Sequence, residues 1–146
     1  MEIREITHKD LTACADIFSR TFSSEPWNEE WNITSALERL TCFFQSEGFC
    51  GVLAEEDNVV CFVMGNIEPF YSGPIFYLRE MCTDIDNQSR GIGSQTLQFL
   101  EEKLRIKRVN NVYLLTEHGI PAAQFYQNRG FNVDRNTEFY SKNINS

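Results

Sequence analysis

A glycine-containing segment at positions 88–94 has the residue types and spacing of an anion-binding loop. Its two glycines allow the backbone to approach a ligand without an intervening Cβ atom. The segment precedes a helical pattern, whose first turn would add unpaired amide groups and the positive end of the helix dipole. Phosphate or pyrophosphate is the usual occupant of such a site, and an arginine would add a cation. The loop consists of Gln88, Ser89, Arg90, Gly91, Ile92, Gly93 and Ser94.

Two familiar phosphate loops do not fit this segment. A Walker loop ends in Gly-Lys followed by Ser or Thr, and no such tripeptide follows here. A dinucleotide fingerprint needs a third glycine where this chain has Thr96, and an acidic residue farther on, where residues 109–112 contain none. The two glycines alone leave two interpretations open, an anion site or a tight strand-to-helix turn without a ligand.

A second segment, residues 122–131, combines a short helical pattern with aromatic residues and a glycine stop. Ala122 and Phe125 share one helical face. Gly130 is placed to end the helix in the left-handed conformation. Phe125 and Phe131 are interpreted as packing residues.

These segments need a scaffold, and the hydrophobic pattern predicts a mixed α/β fold. Because hairpins join the middle strands, we expect a mixed sheet with helices on both of its sides. The length is that of one ordinary domain with a real core. Strands are expected at 2–6, 49–54, 59–65, 75–83, 111–116, 131–133 and 139–141, and helices at 9–22, 32–45, 91–104 and 121–128.

The charge balance restricts the partners of the protein. The chain has 13 basic and 21 acidic residues, a formal net charge of −8. Such a surface repels nucleic acid and anionic lipid and attracts cations such as amines, although acidity also serves solubility alone. No apolar run approaches the ~20 residues that a membrane span needs. The N-terminus lacks the apolar block of a signal peptide, so we expect a cytoplasmic protein.

The cysteine pattern argues against a disulfide framework and against a metal site. The chain has five cysteines, an odd number, and none of them forms a C-x-x-C pair. We expect mostly buried, reduced thiols. Cys82 is the candidate for a reactive thiol because it lies close to the proposed site.

The two motifs together resemble the Gcn5-related N-acetyltransferase (GNAT) superfamily. Members carry Gln or Arg, two variable residues and then Gly-x-Gly/Ala, matched here by Gln88, Gly91 and Gly93. They commonly carry Ala-x-x-Phe-Tyr-x-x-x-Gly-Phe, which residues 122–131 match. The resemblance implies one GNAT-like domain over residues 1–146, with a mixed, mostly antiparallel sheet of about seven strands flanked by about four helices. It also implies acetyl-CoA as cosubstrate, no metal, and a possible homodimer.

The resemblance further implies roles for individual residues. The backbone of Met81, Cys82 and Thr83 would pair with the pantetheine arm like an added strand. One of these amides would polarise the thioester carbonyl, as an oxyanion hole does. Tyr126 would lie near the coenzyme sulfur and protonate the departing thiolate, with packing or hydrogen bonding as its alternative role.

The chain departs from the family pattern in two places. Many relatives have an asparagine where this chain has Gly119, so a side-chain contact to the coenzyme is missing, and the adjacent His118 is a possible substitute. Ile85 replaces a proline that is common in the loop after the strand. We expect the second departure to matter little.

Glu80 is the candidate general base, because an amine must lose a proton when it attacks a thioester. An acidic residue is similarly placed in relatives that acetylate small amines. Pairing with Arg79 or binding of a substrate cation is the alternative role of this carboxylate. A bulge in the strand would change which face Glu80 occupies.

The acceptor pocket is expected in the N-terminal half of the chain. Trp27 and Tyr71, together with Glu80, are the candidate substrate-binding residues, since aromatic and acidic groups can form a wall for a cation. The predicted function is acetyl transfer to a primary amine of a small, cationic molecule in a ternary complex. Alternatives are a protein or peptide N-acetyltransferase, a non-catalytic CoA-sensing module, and a structural interaction domain.

Overall fold

Two amphipathic helices follow the first strand of the chain. Strand β1 is Glu2–Glu5, and helices α1 and α2 are Leu11–Phe22 and Ile33–Phe44. Asn32 and Ser35 cap α2 reciprocally, because each side chain accepts a hydrogen bond from the backbone amide of the other, at 2.9 and 3.1 Å. Each helix buries apolar residues against the sheet, and in α2 these are Ala36, Leu40 and Phe43.

A five-stranded sheet contains all the strands that the structure, which is a computed structural model, describes in residues 1–145. The described chain divides into two compact units, Met1–Leu115 and the residues from 116 onward. Strands β2, β3, β4 and β5 are Phe49–Glu55, Val59–Glu68, Ile75–Thr83 and Asn111–Tyr113, and all belong to the first unit. The spatial order follows the chain order, with antiparallel pairing except between β4 and β5, which are parallel.

Helices cover both faces of this sheet, as the sequence predicts. Leu53, Phe62 and Cys82 pack in one cluster with α1 and α2. The alternate residues Ala54 and Cys61 pack in another cluster with Ile92 of helix α3, which is Ile92–Ile106. Because successive strand residues point to opposite faces, the two clusters lie on opposite sides of the sheet.

The second unit contains one helix, α4, which is Pro121–Asn128. Its end is a Schellman motif: Gly130 has φ +95°, its amide bonds the Gln127 carbonyl at 3.1 Å, and the Phe131 amide bonds the Tyr126 carbonyl at 3.0 Å. The left-handed glycine stop expected from the sequence is therefore present.

The fold class is as predicted, but the described residues form five strands rather than about seven. The segments 131–133 and 139–141 are not strands. Their apolar residues suggested strands, yet Val133 and Phe139 are exposed and no neighbouring backbone completes a ladder for them among the described residues. Among residues 1–145, no helix combines the length and apolar character needed to cross a membrane.

Candidate active site

A β-bulge in β4 determines which side chains face helices α1 and α2. Met64 of β3 pairs with Glu80, whereas the next residue, Gly65, pairs with Leu78, so Arg79 is the extra residue. Beyond the bulge, Glu80 lies on the face that carries Met64, which packs with α1 and α2. Before the bulge, Leu78 lies on the opposite face. The bulge therefore reverses the alternation and directs Glu80 toward α2.

The Glu80 carboxylate is largely buried and paired with an arginine of α2. Its side chain is 13% exposed, and Arg39 Nε donates a hydrogen bond to its Oε1 at 2.7 Å. Burial raises the pKa of Glu80 above its ordinary value, and the charge and hydrogen bond of Arg39 partly oppose that rise. A carboxylate with a raised pKa is a stronger base than an exposed one.

Arg39 and Phe43, which the sequence analysis assigned no role, belong to this site. The guanidinium carbon of Arg39 lies 4.8 Å from the centre of the Phe43 ring, while Nε of the same residue bonds Glu80. Arg79, the other partner considered for Glu80, instead places its guanidinium 4.4 Å from the same ring. Nothing in the sequence marks the Arg39–Glu80 pair, because the two residues lie 41 positions apart.

Strand β4 loses its β5 neighbour after Tyr77. The parallel pairing covers only Ile75–Tyr77 on β4 and Asn111–Tyr113 on β5, so within the described chain residues 78–83 have a strand partner on one side, β3. The candidate CoA-binding residues Met81, Cys82 and Thr83 all lie in this half-paired stretch. Backbone amides and carbonyls on the open side can pair with an extended ligand as an added strand would.

The side chains of this stretch are occupied within the protein. Cys82 is 3% exposed, and its Sγ lies 3.6 Å from the Ile17 carbonyl oxygen. Burial raises the pKa of its thiol far above the ordinary value, so the structure does not support a reactive Cys82. The Thr83 hydroxyl donates to Cys61 Sγ at 3.3 Å. What this part of β4 can offer to a ligand is its backbone.

The glycine loop joins the end of β4 to the start of α3. Gln88 Nε2 donates to the Thr83 carbonyl at 3.2 Å, which ties the loop to the strand. Ser89 and Gly91 have positive φ values of 68° and 78°, and α3 begins at Ile92. The Gln95 amide bonds the Gly91 carbonyl at 3.1 Å. The amides of residues 92–94 belong to the first turn, and no carbonyl of α3 is placed to accept hydrogen bonds from them.

The space in front of Gly91 is open, as a ligand cradle requires. A Cβ atom built on Gly91 would meet no other atom within 4 Å. The first-turn amides of residues 92–94 and the positive end of the helix dipole are adjacent to this glycine. The local geometry is that of an anion site at a helix N-terminus.

Arg90 is engaged elsewhere in this structure. Its two terminal nitrogens bond the two carboxylate oxygens of Glu56 at 3.0 Å each, and one of them also bonds Asn87 Oδ1 at 2.6 Å. Glu56 lies in the turn between β2 and β3. A ligand anion would therefore have to share Arg90 with Glu56.

The two tryptophans near the expected acceptor pocket have different surroundings. Half-buried Trp27 packs edge-on against Phe22, with ring centres 4.7 Å apart. Trp31 packs on the core, bonds Glu29 through Nε1 at 2.7 Å, and lies 5.9 Å from the guanidinium carbon of Arg39. Trp31 is thus the tryptophan connected to the partner of Glu80.

Tyr71 is not brought to Glu80. It is 93% exposed, and its ring packs against Phe70 in the loop between β3 and β4. That loop precedes β4, whereas Glu80 lies beyond the bulge toward the other end of the strand. The sequence suggested Tyr71 because aromatic and acidic groups can form a wall for a cation.

Tyr126 occupies α4 of the second unit. It is half-buried, and its ring centre lies 5.4 Å from that of Phe125 and 5.5 Å from that of Phe131. Gly119, in the same unit, has φ +78°, in the left-handed region that glycine adopts readily because it has no side chain. Many relatives have an asparagine at this position. Tyr126 therefore has packing neighbours on both sides within its own unit.

Comparisons with known proteins agree with the fold and the two motifs. A model of the acetyltransferase (GNAT) family matches residues 11–131. A putative acetyltransferase from Agrobacterium tumefaciens superposes with a TM-score of 0.78 at 21% identity, over 98% of this chain and 100% of that chain. No curated protein matches the chain in sequence.

Two aminoglycoside acetyltransferases have the same fold. The aminoglycoside N-acetyltransferase AAC(6')-Iy in complex with CoA superposes with a TM-score of 0.76 at 18% identity, over 97% of this chain and 93% of that chain. An aminoglycoside acetyltransferase from an uncultured soil metagenomic sample, in complex with trehalose, gives 0.76 at 15% identity, over 98% and 95%. At these identities the likeness establishes the fold.

Proposed function

Because the chain belongs to the acetyltransferase (GNAT) family, we propose that it transfers an acetyl group from acetyl-CoA to a primary amine of a small molecule, directly within a ternary complex. The observation that carries the proposal is the continuous path along β4. A half-paired stretch at residues 78–83 leads into a glycine loop at the N-terminus of α3. The first part suits an extended amide-containing arm, and the second suits a pyrophosphate.

The coenzyme would be held by groups that this chain supplies. The first-turn amides of residues 92–94 would bond the pyrophosphate, with the open space at Gly91 admitting it. Gln88 would keep the loop against the strand end through its bond to the Thr83 carbonyl. The backbone at positions 81–83 would align the arm and direct the thioester toward the bulge.

Glu80 is the proposed general base of the transfer. Glu80 accepts a proton from the ammonium of the acceptor, directly or through a water molecule, and the freed lone pair attacks the thioester carbonyl carbon. The carbon–sulfur bond then breaks, the thiolate takes a proton from Tyr126, and the second proton of the attacking nitrogen restores Tyr126 through water. The products are the acetylated amine, free coenzyme thiol and one proton, which Glu80 returns to solvent. Tyr126 holds this role on the strength of its motif.

We further propose that the reacting amine of the acceptor is protonated when it enters the site. The net charge of −8 attracts ammonium groups, and Glu29 adds negative charge near Glu80. Trp31, which bonds Glu29 and lies close to Arg39, is a better candidate than Trp27 for the aromatic wall of the pocket. The two aminoglycoside acetyltransferases of the same fold support a small amine in general terms.

Free-thiol release tests this function. Purified protein is mixed with acetyl-CoA and a panel containing polyamines, aminoglycosides, amino acids and a lysine-containing peptide, and the products are identified by mass spectrometry. Acetylation of a small amine, absent from heat-denatured protein, is the expected result. Acetylation of the peptide alone would point to a protein acetyltransferase. Tight CoA binding by calorimetry without any thiol release would point to a non-catalytic sensing module.

A further inference from the structure

Arg79, the bulged residue of β4, has its guanidinium held between aromatic rings. Its guanidinium carbon lies 4.4 Å from the centre of the Phe43 ring and 4.8 Å from the centre of the Tyr77 ring. Tyr77 is itself fixed, because it stacks on Tyr113 with ring centres 4.6 Å apart and planes 13° apart. Stacking fixes the guanidinium plane and leaves its edge, which carries the hydrogen-bond donors, free to meet a ligand.

No carboxylate of the described chain forms a salt bridge with this guanidinium, although its charge favours the ionised form of the neighbouring Glu80. Four other arginines of the first unit form salt bridges, namely Arg4, Arg20, Arg39 and Arg90. Arg105 and Arg108 also lack an ion pair, but both are exposed, near the end of α3 and just after it, without any ring against them. Arg79 thus differs from the rest in being both held in place and without a salt bridge within residues 1–145.

Negative and positive side chains lie next to each other at the proposed acceptor position. Glu80 provides a carboxylate, and Glu29 contributes further negative charge to it. Arg79 and Glu80 are consecutive at the bulge, and both side chains lie against α2. The Arg79 guanidinium packs on Phe43, and Glu80 bonds Arg39, whose guanidinium packs on the same ring. A small molecule bound beside this part of α2 can therefore contact both side chains.

We propose that the acceptor amine also carries a carboxylate, and that Arg79 binds it. This inference rests on the proposed function, and it makes the acceptor a zwitterion of amino-acid size. The ammonium end meets Glu80, and the carboxylate end meets the guanidinium edge, whose parallel N–H groups match two carboxylate oxygens. A dication such as a polyamine would instead place a second positive charge against Arg79.

Matched acceptor pairs test this assignment. Free amino acids are compared with their carboxamides, which keep the amine and lose the negative charge, and kcat/KM is measured by thiol release from acetyl-CoA. We expect a preference of about ten- to a hundred-fold for the acids, the range of a charge-assisted hydrogen-bond pair. In Arg79→Gln the acid-to-amide ratio should fall toward one, mainly through KM, and Arg79→Lys should restore part of it.

The control variant is Arg105→Gln, which removes an exposed arginine from α3 and should keep both the rates and the ratio. Calorimetry with CoA checks that Arg79→Gln still binds the coenzyme, and thermal melting checks that it is folded. Equal rates with acids and amides, or an equal loss on both in Arg79→Gln, would overturn the inference while leaving the acetyltransferase proposal intact. Absence of thiol release with every acceptor would overturn the proposed function itself.

Discussion

Arg39 donates its Nε hydrogen to Glu80 at 2.7 Å and thereby joins the middle of α2 to the strand segment just beyond the bulge. The bond holds the carboxylate of the proposed base in one orientation. It also opposes the effect of burial on the pKa of Glu80, which is raised overall. Helix and strand together therefore influence the pKa of this group.

Glu80→Gln should lower kcat by about a hundred-fold or more, the usual contribution of a general base. The base works in its ionised form, so wild-type activity should fall as the pH drops through the raised pKa of Glu80. The variant should lack this acidic limb. Rates at several pH values with saturating acetyl-CoA provide the measurement, and an unchanged kcat would assign the base to another group or to water.

Arg39→Met should move the acidic limb to higher pH. The substitution removes the charge that favours the ionised carboxylate, while burial, which disfavours it, remains. We expect an upward shift of about one pH unit, the lower end of the usual effect of a neighbouring opposite charge. Arg105→Met on exposed α3 is the matched control and should leave the profile in place. A downward shift would contradict this account of Glu80.

Gly65→Ala should destabilise the protein more than Gly91→Ala. A Cβ atom on Gly65 would collide with the Tyr77 carbonyl oxygen and lie 2.8 Å from the Phe76 ring, both beside the bulge. At Gly91 no atom lies within 4 Å, so the cost there is the positive φ alone, about 1–2 kcal/mol. Denaturant unfolding compares the two free energies, and equal losses would mean that the contact at Gly65 is easily relieved.

Asp10→Asn should cost about 2 kcal/mol of unfolding free energy at neutral pH. Hydrogen bonds from Arg4 lower the pKa of Asp10 from 3.8 to about 2, and the carboxyl is little exposed. Since the folded pKa is below the unfolded one, this stabilisation is complete above pH 3.8 and is lost as the pH falls toward 2. The difference between wild type and variant should shrink across that range in urea titrations. A constant difference would exclude the ionised pair as its source.

A thiol reagent should label one cysteine of the native protein quickly, and Cys42→Ser should remove that labelling. Cys42 is exposed, whereas Cys14, Cys50, Cys61 and Cys82 are buried. Burial raises the pKa of all four buried thiols, to about 12 for Cys14, so the reactive thiolate is scarce. Rapid labelling at Cys82 in the folded protein would contradict its position under α1.

Local signals account for the parts of the structure that the sequence predicted well. The bounds of β4 and of α4 agree with the prediction, because an apolar run after Pro74 begins one and a proline and a glycine delimit the other. The glycine loop precedes α3 as expected. Each of these features depends on residues close together in the chain.

The features that the sequence did not reveal depend on contacts between distant residues. The bulge at Arg79 is a register shift between two strands, and the sequence indicated only that a bulge there would matter. The pairing of Arg39 with Glu80 joins residues 41 positions apart. The strands expected after residue 130 are missing from the described chain because an apolar run becomes a strand only when a partner backbone is in register with it.

Beyond Tyr77, β4 has a neighbouring strand on one side only within residues 1–145, and backbone groups left without a strand partner can act as a template to which a foreign chain attaches. A molecule that occupies this row of amides and carbonyls removes the template. Self-association should therefore be a property of the empty protein, and saturating coenzyme should keep concentrated solutions monodisperse. Residues 78–83, which would align the pantetheine arm, thus also determine how long a stored solution stays free of aggregates, through whether coenzyme is bound to them.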